Sequence, residues 1–191
     1  RDFNIESYDH FLSPTVLEKI VSKIESRLTE LKSQKSFSFK EKSLMDVMAT
    51  GVKFAPTIIS GVNDAKKVMR TPELFFDFNT YKQADMIIKS ALKLVSDAYS
   101  PSILTLSTFE SGTRAEESTQ RSTEFARNKN INPFIDLYDE VLLPSEPWEN
   151  YSLVGISIVG ISQILPGLTL ARLLKEKYSH LHITLGGPIF S

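Results

Sequence analysis

The C-terminal forty residues limit the fold of this chain more than any other stretch. Residues 153–159, LVGISIV, form an apolar run of strand length, and a polar loop follows. Gly167, Leu168, Leu170, Ala171, Leu173 and Leu174 then recur at helical spacing, with Arg172, Lys175, Glu176 and Lys177 on the other side. Residues 182–188, HITLGGP, give a second strand running into a double glycine. A helical crossover makes two strands parallel, and parallel sheets take ligands beyond the carboxyl ends of their strands. Those ends carry Ser157, the 160–163 loop and Gly186-Gly187, and a ligand is expected there.

A run as apolar as LVGISIV suits a strand buried on both faces. Each small or polar residue near its end has two readings. Gly186-Gly187 either admits a ligand against the backbone or makes a sharp turn. Ser157 is either a ligand donor or a small core residue. Ser162 either caps the next helix or bonds a ligand, and Gln163 projects an amide near the crevice. The chain has neither Gly-x-Gly-x-x-Gly nor a phosphate-cradling P-loop, so the two usual nucleotide sites are unsupported.

The rest of the chain reads as mainly helical. Residues 2–8 look like the end of a strand. Ser13 caps a helix with Pro14 at its first position, and Val16, Leu17, Ile20, Val21, Ile24, Leu28 and Leu31 recur along it. A second helix spans about 42–54, Pro56 ends or kinks it, and a third runs over 56–69. Asn79 is expected to cap a helix to Ser96. Ile103, Leu104, Leu106 and Phe109 suit a short strand or packed loop, and residues 110–127 a solvated loop followed by a short helix. Asn132-Pro133 starts another helix that Pro144 and Pro147 end.

Composition excludes several chemistries. With no cysteine there is no disulfide, thiolate nucleophile or cysteine-held iron–sulfur cluster. His180 and His182, alternating about Leu181, read as a strand-start pair without a metal, and the third histidine, His10, stands alone. A net charge of −1 from 22 basic and 23 acidic residues gives no field for nucleic acid or an anionic membrane. No apolar stretch reaches the ~18 residues of a spanning helix. The opening RDFNIE has no signal-peptide character and no initiator methionine, and is read as the start of a cytoplasmic fragment of a longer protein.

Taken together, VGISIVGISQILPGLTLARLLKEKYSHLHITLGGP resembles the cobalamin-binding domain at the front of cobalamin-dependent radical S-adenosylmethionine enzymes. That family carries Ser-x-Leu, 26 to 28 residues, then Gly-Gly; here Ser157-Ile158-Val159 precedes 26 residues and Gly186-Gly187, with valine for leucine. Ser162-Gln163 with Pro166 is similar to the radical enzymes as well. FNIESYDHFLSPTVLEK, the TPELFF stretch from Thr71 and NPFIDLYDEVLLP resemble the helical insertion of members that methylate peptides or antibiotics.

The resemblance implies an incomplete Rossmann-like α/β parallel sheet formed by residues 1–12 and 152–191, with a large helical insertion at 13–151. It implies a cofactor-binding set of Ser157, Val159, Gly160, Ile161, Ser162, Gln163, Gly186, Gly187 and Pro188, with Ser157 bonding the buried nucleotide tail of cobalamin. Its implied partner is the radical domain of the parent, which would hold the 4Fe-4S cluster and S-adenosylmethionine and act as a methyltransferase. This chain alone would bind the cofactor without catalysing. Two family motifs are absent: the cysteine triplet, and the Asp-x-His-x-x-Gly that supplies an imidazole to cobalt. With part of its sheet missing, the slot is expected to hold cobalamin weakly. The rival readings are a stand-alone α/β enzyme, for which no nucleophile, base or metal set converges, and a helical protein-interaction module on an α/β core without cofactor.

Overall fold

A computed structural model describes residues 2–34 and 36–190. They fall into two compact units that divide between Ser107 and Thr108, so residues of the expected insertion are shared by both.

The first unit is helical. Residues 2–8, expected as a strand end, instead belong to α1 (Phe3–Phe11), because the Asp2 carboxylate accepts from Asn4 N and Ile5 N and caps it. α1 packs on α2 (Pro14–Lys32) and α5 (Phe78–Ala98). α2 starts at Ser13-Pro14 as expected, although Ser13 makes no side-chain cap bond, and buries Leu17, Ile20, Ile24 and Leu28.

Of the expected end or kink at Pro56, the end does not occur: α3 (Phe39–Arg70) is one continuous helix with Pro56 inside it. An interior proline costs ~3 kcal/mol. Packing against α2 and α5 offsets it, through Met48, Ala55, Ile58, Val62 and Ala65, all buried. Gly51 and Gly61 let α5 come close, since a Cβ at either would touch Leu94 or Ile87. At its start, the Ser38 hydroxyl accepts from Glu41 N while Ser38 N donates to the Glu41 carboxylate. A short α4 (Pro72–Phe75) follows, and Asp77, rather than the expected Asn79, caps α5 by accepting from Thr80 N. The chain then passes through β1 (Ile103–Leu104), where the Tyr8 hydroxyl donates to Thr105 O at 2.6 Å.

The second unit opens with β2 (Phe109–Glu110), then α6 (Thr119–Arg127), α7 (Phe134–Leu137) and a π-helical turn over Tyr138–Leu142. Its frame is β3 (Leu153–Ser157), α8 (Ile164–Lys177) and β4 (His182–Gly186). The strands run parallel, as the sequence predicts, with Leu153 opposite His182 and Ser157 opposite Gly186. The ladder runs past β3 into the GISIV tail, since Ile158 N donates to Gly186 O at 2.7 Å. The observed fold is thus largely helical, with a small parallel α/β element at its C-terminal end.

Two contacts fix α8 on the strands. A Cβ on Gly167 would lie 2.9 Å from Ile158 Cδ1, so the missing side chain sets how closely the helix approaches. Lys175 Nζ donates to Ser179 O and Leu181 O, tying the end of α8 to the start of β4. Behind α8, the fully buried Asn132 and Thr169 meet at 2.9 Å. Asn132 Nδ2 also donates to Phe125 O, its Oδ1 accepts from Phe134 N, and the Thr169 hydroxyl donates to Leu165 O. Those bonds satisfy both side chains inside an apolar layer.

Candidate functional site

One face of the parallel pair is covered and the other is not. Val154, Ile156 and Ile158 turn toward α8, with Ile183 and Leu185 beside them. Leu153, Gly155 and Ser157 of β3, with His182 and Thr184 of β4, are exposed. The expectation that LVGISIV is buried on both faces therefore fails: α8 is a single crossover and shields a single side. The alternation that results is the pattern of a half-buried strand.

On the uncovered face the side chains are small. Ser157 and Gly186 are directly paired, and Gly155 lies two residues before Ser157. A Cβ built on Gly155, Gly160 or Gly186 would meet no atom within 4 Å. The Ser157 hydroxyl makes no side-chain hydrogen bond among the described residues, and Ser157 is exposed. Beyond the strand end, Val159 and Ile161 are 64% and 66% exposed and form an apolar rim.

Several expected site residues have other roles. Gly187 has φ +113°, and a Cβ there would lie 2.3 Å from Ile158 O. It is glycine because the backbone of residue 158 passes against it and takes the room of a side chain. Gly186 keeps that room. Ser162 lies in a 3-10 turn (Ile161–Gln163) and does not cap α8, whose N-cap position is Gln163 without a side-chain cap bond. The Gln163 amide is not simply projected into the crevice: its Oε1 accepts from Val159 N at 2.8 Å. Pro188 begins a 3-10 turn at the exposed end of the site.

The histidines lie at the opposite end of the strands. His182 pairs with Leu153, and the His180 ring sits 3.2 Å from Tyr151 O. At a rise of ~3.3 Å per residue, His182 Cα is roughly 13 Å from Gly186. Among the described residues no group of three or more His, Cys, Asp or Glu side chains can hold a metal ion. A groove in the first unit, beside Ser100, Pro101 and residues 102–107, is lined by Lys89 and Lys93. Both ammonium groups are already bonded to carboxylates, Lys89 to Asp85 and Lys93 to Asp97, so the groove presents little free charge. In the second unit, burial pushes the Tyr138 hydroxyl well above its ordinary pKa, keeping it a neutral part of the core.

Sequence reasoning missed the Asn132–Thr169 pair and the bond from Val159 to Gln163. The first had a partial signal, a single Thr at position 169 among the leucines on the apolar side of α8. The second had none, because it depends on the loop's path. No described helix is long and apolar enough to cross a membrane. No family model matches this chain, and neither a curated protein nor a solved structure matches it.

Proposed function

We propose that this chain is the cobalamin-binding front of a radical S-adenosylmethionine enzyme, with a Rossmann-like parallel core, and that it binds the cofactor without catalysing. The observation that carries this reading is the uncovered strip of Gly155, Ser157 and Gly186. It lies at the carboxyl end of a parallel pair, where parallel sheets take their ligands. The strip fits a narrow ligand segment lying along the strands, with Ser157 as its hydrogen-bond partner. The exposed Val159 and Ile161, with Gly160 between them, suit the broad corrin. Cobalt would receive no imidazole from His180 or His182, which stand at the far end. The cofactor would supply methyl-transfer chemistry to a substrate held by the parent, a cytoplasmic methyltransferase whose 4Fe-4S cluster and S-adenosylmethionine belong to a domain outside this sequence.

The test is a titration with hydroxocobalamin, followed in the visible spectrum and by co-elution on gel filtration. Weak binding that Ser157→Ala reduces supports the reading, and absence of any binding refutes it.

A second reading, a protein-interaction module, draws on one observation in the first unit. Phe76 and Phe78 are 83% and 71% exposed at the corner between α4 and α5. Such side chains are common at interfaces. Loss of partner capture on Phe76→Ser, with no cobalamin bound by the wild type, would favour it.

A further inference from the structure

Gln163 holds the loop at the strand end and cannot do so in two ways. Val159 N is a donor, so the group 2.8 Å from it must be the amide oxygen. That choice fixes the amide plane and turns its nitrogen the other way. The backbone closes the same turn, since Gln163 N donates to Gly160 O at 2.9 Å. Gln163 is half-buried, and its Nε2 donates to nothing among the described residues, yet is not buried away from solvent. A polar atom held in place without a partner, beside an apolar rim, is the arrangement of an orienting group in a ligand site. The neighbours agree: the Ser162 hydroxyl also lacks a side-chain partner, and space above Gly160 is open.

We propose that Gln163 is a positioning residue with two tasks. Its oxygen fixes the 159–163 loop, and its nitrogen is thereby presented as a donor to a ligand that joins a large apolar surface to carbonyl acceptors. The inference rests on the cobalamin reading, in which those acceptors are the amide carbonyls around the corrin. A ligand whose rim bore donors instead would meet the wrong end of the amide.

Two substitutions separate the tasks. In Gln163→Glu a carboxylate oxygen still accepts from Val159 N, but nothing donates. In Gln163→Ala both functions go. Hydrogen–deuterium exchange across residues 158–163 reads the loop, and hydroxocobalamin titration reads the ligand. The glutamate variant should keep the wild-type exchange pattern and bind about tenfold more weakly, the loss expected for an acceptor left facing a carboxylate. Its affinity should recover as pH falls through the carboxyl range near ~4.3, where the protonated acid donates again. The alanine variant should exchange faster at Val159 and bind weakly at every pH. Wild-type affinity in Gln163→Glu at neutral pH overturns the donor role, as does weakness that acid does not relieve. Failure of the wild-type chain to bind hydroxocobalamin at all overturns the cobalamin reading and the donor's assigned ligand with it.

Discussion

Gly187 and Gly186 are neighbours with opposite tolerances, and alanine at each should separate them. A Cβ on Gly187 would sit 2.3, 2.8 and 2.9 Å from the O, N and C of Ile158, all backbone atoms that cannot rotate aside. The φ of +113° adds ~1–3 kcal/mol of strain for an L residue. Relief requires moving the Ile158 strand end, which breaks the 2.7 Å bond from Ile158 N to Gly186 O and removes about 1 kcal/mol more. The expected destabilisation is about 2–4 kcal/mol, a large share of the 5–15 kcal/mol typical of a domain. At Gly186 a Cβ meets nothing within 4 Å, so alanine should be neutral or stabilise the strand by ~0.5 kcal/mol.

Urea unfolding read by tryptophan fluorescence suits the test. The single tryptophan, Trp148, lies buried in the same unit, and its indole donates to Leu143 O. With a slope near ~1.5 kcal/mol per molar, the Gly187→Ala midpoint should fall by about 2 M while that of Gly186→Ala stays put. Equal midpoints for the two variants would refute the argument that Gly187 is fixed by the Ile158 backbone.

In the same assay Asn132→Ala should cost about 2–4 kcal/mol and Thr169→Val about 1–2, because the first removes three bonds in a buried layer and the second leaves Asn132 its contact with Phe125 O. Gly167→Ala should be close to neutral, since ~1 kcal/mol of helix propensity offsets the contact with Ile158 Cδ1. In an Ile158→Val background, where that methyl is gone, Gly167→Ala should become stabilising by about 1 kcal/mol; a double-mutant cycle without coupling contradicts the close approach. The Ser38 backbone N–H and then its hydroxyl hold the Glu41 carboxyl below its ordinary pKa. A depressed carboxyl stabilises above its unfolded pKa and loses that contribution as pH falls through the folded one. Protection of the amides in the first turn of α3, taken relative to their intrinsic exchange at each pH, should therefore fall on acidification in that range, and Glu41→Gln should abolish that fall.

The strand–helix–strand order, and with it the parallel direction, was legible because it is written in local periodicity; the register that sets Ser157 opposite Gly186 was not. Coverage was not legible: LVGISIV is as apolar as a strand buried twice, and only the position of α8 reveals which side stays open. Pro56 misled for a related reason. Its local preference for a helix end is real, but the buried row from Met48 to Ala65 outweighs it, and that row depends on helices distant in sequence. Residues 2–8 have strand-like spacing, yet one carboxylate at Asp2 commits them to a helix. At the candidate site the strip was readable from small residues at strand ends, whereas the division of labour between Gly186 and Gly187 needed the path of residue 158.

The register of β3 with β4 also bears on the order of events expected in folding. Every rung of that ladder joins residues 29 positions apart, from Leu153 with His182 to Ser157 with Gly186. Such a loop is entropically expensive to close unless something shortens it first. Docking α8 on Ile158 through Gly167 does so, since those two residues are close in sequence and need no strand partner. The half-formed unit expected from this is a strand with a helix lying on it, with β4 joining last. Perturbations on the α8 face should slow folding, while those in β4 should mainly hasten unfolding.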